Sequence, residues 1–180
     1  MNFIIYDLEA TCWNQAAFRD RPQEIIEIGA VCLNNFGEIQ DTFSSLIKPT
    51  LFPDLSVFCQ ELTQITTSET NKAPYFPVVL DRFLEWINVD DDFILCSWGN
   101  FDKKMFIQDC SLHHISHEWT NQHINLKRQY IDFKKLKRPV SLKHALEIDG
   151  YEFEGNQHRA LPDATNLAVL FTHHIDKWQY

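Results

Sequence analysis

Apolar and β-branched residues concentrate in four short segments that predict the strands of a central sheet. Residues 3–8 (FIIYDL) and 24–33 (EIIEIGAVCL) are short and rich in isoleucine and valine, so we expect buried strands there. Residues 39–47 have alternating apolar positions and follow the turn sequence NNFG, which predicts a hairpin with the preceding strand. Residues 93–98 (FILCSW) predict a fourth strand, which ends before Gly99.

Other apolar positions recur with helical spacing. Between residues 74 and 87, apolar side chains fall at i, i+3 and i+4, which predicts an amphipathic helix. Further helices are predicted at residues 53–62, 101–109, 126–136, 141–148 and 162–178. Ser141 is expected to cap its helix, and Pro162 to open the last one, because proline is favoured at the first helical position. Residues 113–123 have mixed polarity and no period, which predicts a loop.

The order of these elements predicts an α/β fold, in which helices flank a mixed central sheet. The first strands follow one another directly, and later strands alternate with helices. A chain of 180 residues is long enough for one sizeable core, so we expect a single domain over residues 1–180.

Cysteine usage and hydropathy give expectations about the environment of the protein. The five cysteines are odd in number and show no C-x-x-C spacing, which favours reduced thiols over a disulfide framework or a zinc site. The first residues do not resemble a signal peptide, and no apolar run approaches the length of a membrane span. We therefore expect a cytoplasmic protein with no membrane partner, and the sequence indicates no protein partner.

The charge of the chain is unevenly distributed. The net charge is −9, which by itself argues against a polyanionic partner. Residues 127–143, here called the basic strip, hold seven lysines and arginines against one aspartate, so the rest of the chain carries −15. Such a strip on an acidic body suits a protein that contacts a few phosphates, although a solvated helix face would look the same.

Asp7 and Glu9 stand near the end of the first predicted strand. Side chains two residues apart on a strand point to the same face, so the two carboxylates should emerge together. When two carboxylates lie this close together, either the pKa of one of them rises or a cation balances the charge. Carboxylate oxygens are suitable ligands for Mg²⁺ or Mn²⁺. Acid pairs at strand ends also serve as turn or cap residues, so this pair alone leaves both interpretations open.

Two more acids and one histidine strengthen the metal hypothesis. Asp102 directly follows a predicted strand, where ligands collect in α/β sheets, although it could instead cap the next helix. Asp163 lies in the first turn of the last predicted helix, at the edge of its apolar stripe, where a carboxylate needs a partner or a metal. His158 precedes Asp163 by five residues and is a candidate general base, or a solvated loop histidine.

Three segments resemble the exonuclease motifs of the DEDDh branch of the RNase H-like superfamily. They are residues 7–12 (DLEATC), 97–102 (SWGNFD) and 158–166 (HRALPDATN). Within that branch, the chain is most similar to the Eri-type, histone-mRNA 3′-exonuclease-like group and its bacterial relatives. Supporting segments are residues 24–28, 55–65 and 124–127.

This resemblance implies an RNase H-like fold and a 3′→5′ exonuclease that releases nucleoside 5′-monophosphates from single-stranded 3′ ends, with RNA favoured over DNA. It implies that four acids hold two divalent cations, Mg²⁺ or Mn²⁺, and that a histidine takes a proton from the attacking water. The implied metal ligands are Asp7, Glu9, Asp102 and Asp163, and the implied base is His158.

The resemblance also implies contacts with the substrate. Leu8, Glu9 and Ala10 would receive the terminal ribose, while Phe58 and Phe101 would sandwich the last base. Base–aromatic stacking contributes about 1–3 kcal/mol and tolerates any base. For Phe58, ordinary core packing is the alternative.

The sequence departs from the family pattern at two positions. Pro162 stands where relatives often have an acid or another polar residue, which puts the local loop geometry in question. Gln64 stands where Eri-type relatives commonly have glycine, which would alter the turn after the short helix.

Three other functions remain open from the sequence. The chain could be an inactive exonuclease fold that only binds nucleic acid, or a DNA exonuclease of the proofreading or repair type. The His113-His114-x-x-His117 cluster could suggest zinc, but a convincing fourth ligand is missing from its sequence neighbourhood.

Overall fold

The computed structural model describes residues 1–18, 20–89 and 92–180, and these form a mixed five-stranded sheet flanked by helices. The strands are β1 Asn2–Ala10, β2 Ile25–Leu33, β3 Ile39–Leu46, β4 Phe93–Ser97 and β5 His123–Asn125. The sheet order is β3-β2-β1-β4-β5, in which β1, β2 and β3 are antiparallel and β4 and β5 run parallel to β1. The predicted fold class is confirmed.

Seven α-helices surround the sheet in the part of the chain that the structure describes. They are α1 Val57–Thr63, α2 Thr67–Thr70, α3 Phe76–Ile87, α4 Phe101–Leu112, α5 Leu126–Lys134, α6 Leu142–Ile148 and α7 Ala160–His173. The Ser141 hydroxyl accepts a hydrogen bond from the backbone N–H of His144 at 3.2 Å, so the predicted cap of α6 is confirmed. None of these described helices is long and apolar enough to cross a membrane.

The predicted limits of the last helix were wrong at both ends. Helix α7 begins at Ala160, and Pro162 is its third residue, where a backbone N–H would have no partner within the helix. It ends at His173, because the chain then turns. Trp178 lies beyond the helix, yet its indole donates to the carbonyl of Phe171 at 2.8 Å. The Trp178 ring therefore packs beside the apolar face of α7, although Trp178 itself is not part of the helix.

The loop predicted at residues 113–123 contains a 3₁₀ helix and the first residue of a strand. A 3₁₀ helix spans Glu118–Asn121, and β5 follows as the edge strand beside β4. Three half-buried residues are too few to show a strand period, which explains why the pattern missed β5. The first helix was also predicted too early, since it starts at Val57 after its cap Ser56.

The alternation of side chains along β1 divides the core into two layers. Ile4 and Tyr6 pack in the cluster that includes side chains of α3 and α4. Phe3 and Ile5 pack on the opposite face in the cluster with side chains of α7. Odd-numbered residues of β1 therefore face α7, and this parity places the candidate acids.

Candidate active site

Asp7 and Glu9 continue the α7-facing side of β1 into a cavity at the carboxyl end of the strand. Ligand oxygens of Asp7, Glu9 and Asp163 lie within 4.8 Å of one another. The three residues therefore meet as the sequence suggested, although the first two and the third are far apart in the chain.

A glycine on the neighbouring strand allows α7 to approach this closely. Gly29 pairs with Asp7 in the β1–β2 ladder. A Cβ atom at Gly29 would lie 2.1 Å from the backbone nitrogen of Leu161. The start of α7 thus lies directly on the sheet, and Asp163 is carried to the carboxylates of β1.

A buried ion pair fixes the same helix start. Glu27, on β2, accepts hydrogen bonds from the Arg159 guanidinium at 2.7–3.2 Å and from the backbone N–H of Ala160 at 2.9 Å. The Glu27 side chain is 2% exposed and the Arg159 side chain is 32% exposed, so the carboxylate is buried while the guanidinium partly reaches the surface. This pair was not predicted from the sequence, where its only local signal is a glutamate inside an apolar strand.

Asp102 is the second residue of α4, directly beyond β4, and its side chain is buried. Asn100 precedes the helix, so Asp102 is not its cap residue. One carboxylate oxygen of Asp102 accepts a hydrogen bond from the backbone N–H of Leu8 at 3.2 Å. This bond joins the carboxyl ends of β1 and β4.

His158 stands at the exposed edge of the cavity in a left-handed backbone conformation, with φ of 61°. Its backbone N–H donates to Asp163 at 2.9 Å. A non-glycine residue at positive φ is uncommon and is often found where function constrains the backbone. The hydrogen bond therefore couples the histidine to the acid that follows it.

The four acids and His158 all line one open cavity of about 510 Å³. Leu8 and Phe101 line it as well, and Phe101 is 49% exposed. Six further residues that were not predicted at the acid site complete the wall: Trp98, Ser141, Leu142, Lys143, Phe153 and Gln157. Of these six, only Trp98 stands inside one of the three quoted motifs, at residues 97–102.

Two predicted substrate contacts lie outside this cavity wall. Ala10 is buried, and its carbonyl faces the Cys59 thiol at 3.6 Å. Phe58 lines a different cavity, which it shares with Trp13 and Phe18. The substrate roles of Leu8, Ala10, Phe58 and Phe101 stay predictions.

The electrostatics of the cavity favour cations. Burial, followed by the charge of Asp102, raises the pKa of Asp7 well above its ordinary value. Burial and the charge of Asp163 raise the pKa of Glu9 to about 8. Burial also raises the pKa values of Asp102 and Asp163 to about 6 each. Divalent cations would relieve this repulsion, and clustered carboxylate oxygens are donors that Mg²⁺ and Mn²⁺ prefer.

Most of the basic strip lies away from this cavity. Arg128 pairs with Asp132 at 3.5 Å, and Lys134 pairs with Asp149. Lys143 is the strip residue that lines the acid-containing cavity. That the rest of the basic strip contacts phosphates of the substrate stays a prediction.

Gln64 shows how the chain accommodates one departure from the family pattern. It occupies the left-handed conformation at the end of α1, with φ of 57° and ψ of 23°. Glycine adopts this conformation most easily. The turn is retained, and the Gln64 side chain accepts a hydrogen bond from Asn156 at 3.2 Å, which connects α1 to the loop before His158.

Sequence comparisons place this geometry among known nucleases. The exonuclease family model RNase_T matches residues 4–171. The 3′-5′ exoribonuclease 1 of Mus musculus is 34% identical over 177 residues, which cover 92% of this chain and 50% of that protein. A probable 3′-5′ exonuclease of Bacillus subtilis, KapD, is 30% identical over 148 residues, which cover 82% and 71%. The chain thus spans about half the length of the first curated relatives it matches.

A solved structure agrees with these sequence matches. The nuclease domain of 3′hExo, a DEDDh family member bound to rAMP, superposes with a TM-score of 0.88 at 30% identity. The match covers 97% of this chain and 92% of that domain. The predicted resemblance is confirmed: the chain belongs to the exonuclease (RNase_T) family and has the RNase H-like fold of its DEDDh members.

Proposed function

We propose that this protein is a metal-dependent 3′→5′ exonuclease that releases nucleoside 5′-monophosphates from single-stranded nucleic acid. One observation carries the proposal. Four carboxylates with raised pKa values and a histidine line the same open cavity, in a chain that belongs to an exonuclease family.

Asp7, Glu9, Asp102 and Asp163 would hold two divalent cations, Mg²⁺ or Mn²⁺. Divalent metal ions are used by the DEDDh exonucleases, and this cavity offers hard oxygen donors with an excess of negative charge. When bound, such cations neutralise the phosphate and favour attack on phosphorus.

His158 would accept the proton of the attacking water. Its side chain is exposed at the cavity, so it can reach solvent, and its backbone is held by Asp163. An exposed imidazole can accept the proton of the water and then release it to solvent.

The remaining cavity residues would bind the end of the substrate. The exposed ring of Phe101 offers a stacking surface for the terminal base, and Leu8 lies between two of the acids on β1. Lys143 is the cation placed to contact a phosphate at this cavity.

RNA is the favoured substrate. Several relatives at about 30% identity are described as exoribonucleases. A solved structure at 29% identity is described as 3′-end specific recognition of a histone mRNA stem-loop by a 3′-exonuclease. The superposition of that structure has a TM-score of 0.90.

The test is digestion of 5′-labelled RNA and DNA of the same single-stranded sequence with Mn²⁺ or Mg²⁺. We expect a ladder that shortens from the 3′ end, faster on RNA, with nucleoside 5′-monophosphates as products. Faster digestion of DNA would contradict the RNA preference. Binding of RNA with no cleavage in either metal would contradict the activity and favour a binding module.

A further inference from the structure

Two cysteines meet beside the acid cavity without being part of it. Cys12 is half-buried and follows Glu9 by three residues, while Cys59 is buried on α1. The side chains of Cys12 and Cys59 interact with each other. Cys12 also packs against the small apolar cluster that contains Cys59.

The surrounding hydrogen bonds hold these two sulfurs together. The Ser56 hydroxyl donates to the carbonyl of Cys12 at 2.6 Å and accepts from the backbone N–H of Cys59 at 3.0 Å. The Cys59 thiol faces the carbonyl of Ala10 at 3.6 Å. The segment after β1 is therefore fastened to the start of α1 at the point where the thiols meet.

This pair differs chemically from the other three cysteines. The hydrogen bond from Cys12 lowers the pKa of Cys59 to about 7, while the same contact raises the pKa of Cys12. Burial raises the pKa values of Cys32, Cys96 and Cys110. A thiolate is the reactive form of cysteine, and the half-buried Cys12 gives the pair access to solvent although Cys59 itself is buried. Adjacent sulfurs, one of them reachable from solvent, make this pair the favoured site of oxidation among the described residues.

We propose that Cys12 and Cys59 form a peroxide-sensitive dithiol that closes reversibly to a disulfide. The thiolate of the pair attacks one oxygen of hydrogen peroxide, the O–O bond breaks, and a sulfenic acid and hydroxide result. The second sulfur then attacks the sulfenic sulfur, which forms the S–S bond and expels the oxygen as hydroxide. The two protons of the thiols convert both hydroxides to water, so peroxide gains the two electrons that the thiols lose.

Closure should disturb the neighbouring cavity, and this consequence rests on the proposed exonuclease function. An S–S bond is about 2.05 Å long, which is shorter than any non-bonded contact between sulfurs, so the two sulfurs must approach by on the order of 1 Å. Cys12 is three residues from Glu9, and a displacement of about 1 Å near reacting groups can lower a rate by on the order of 10²-fold. We expect the oxidised protein to lose at least about tenfold in cleavage rate.

The experiment treats the folded protein with hydrogen peroxide and maps disulfides by mass spectrometry of non-reduced peptides. The expected product joins the peptides of Cys12 and Cys59 and has two fewer free thiols. Cys12→Ser should lose this product, whereas Cys32→Ser, which changes another half-buried thiol, should retain it. Dithiothreitol should restore the cleavage rate of the oxidised wild type, and Cys12→Ser should keep its rate in peroxide.

Different failures of this experiment have different meanings. If peroxide oxidises Cys32 while Cys12 and Cys59 stay reduced, the dithiol proposal is overturned. A Cys12–Cys59 disulfide with an unchanged cleavage rate overturns the link to activity. If the reduced wild type cleaves no RNA, the proposed function fails, and the peptide map still decides whether the dithiol closes.

Discussion

Replacing Glu9 by glutamine removes one of the repelling carboxylates while keeping the size of the side chain. Glu9 is 9% exposed, and burial with the charge of Asp163 raises its pKa from 4.5 to about 8. The folded protein therefore binds the Glu9 proton more tightly than the unfolded chain does. The resulting stabilisation is complete below pH 4.5 and is lost as the pH rises through 8.

The size of this effect follows from the pKa difference, since a difference of one corresponds to about 1.4 kcal/mol. In metal-free wild type, the free energy of unfolding should fall by about 3 kcal/mol between pH 5 and pH 8 because of Glu9. Glu9→Gln has no titrating group at this position, so its free energy of unfolding should not show this fall. Relative to the wild type, it should rise by about the same amount between pH 5 and pH 8. Mn²⁺ should stabilise the wild type more than the variant, because it binds ionised carboxylates.

Urea unfolding at pH 5, 7 and 8 in EDTA measures this effect, and the series is then repeated with Mn²⁺. Glu85→Gln, an exposed position on α3, is the matched control and should run parallel to the wild type at every pH. If Glu9→Gln also runs parallel to the wild type in EDTA, the carboxylates do not repel one another as the structure implies.

Three further variants test separate parts of the account. His158→Ala should lower the cleavage rate by a factor on the order of 10²–10⁴ and keep the Mn²⁺-induced rise in melting temperature. A nearly normal cleavage rate would show that this histidine is not part of the mechanism. Gly29→Ala should lower the free energy of unfolding by about 3 kcal/mol or more and weaken the Mn²⁺ response, because its Cβ would collide with the backbone of α7. Lys143→Ala, in the His158→Ala background, should weaken oligonucleotide binding and reduce the salt slope by about 0.7; an unchanged slope would mean that it contacts no phosphate.

The alternation of β1 made much of the site predictable from the sequence. A strand period of two places Asp7 and Glu9 on one face, and the same parity directs them towards α7. The position of Asp102 after a buried strand likewise predicted its place at the carboxyl edge of the sheet. These inferences depend only on local backbone geometry, which can be predicted from short sequence patterns.

Contacts between distant segments could not be predicted in this way. Glu27 and Arg159 are 132 residues apart, so the glutamate inside an apolar strand does not identify its partner in the ion pair that fixes α7. The three residues of β5 take their strand conformation from pairing with β4, because a segment that short has no period of its own. Phe58 lies in a separate cavity because of how α1 is attached to the end of β1, which also depends on tertiary contacts.

The central claim is that the four clustered acids hold divalent cations that permit cleavage from the 3′ end. The most direct measurement is single-turnover cleavage of 5′-labelled single-stranded RNA over a series of Mn²⁺ concentrations. The wild type should shorten the RNA one nucleotide at a time and stop in EDTA. Asp163→Asn should lose on the order of 10²-fold or more in rate, while the exposed control Asp54→Asn should match the wild type. Cleavage that continues in excess EDTA, or an Asp163→Asn rate equal to that of the wild type, would contradict the account.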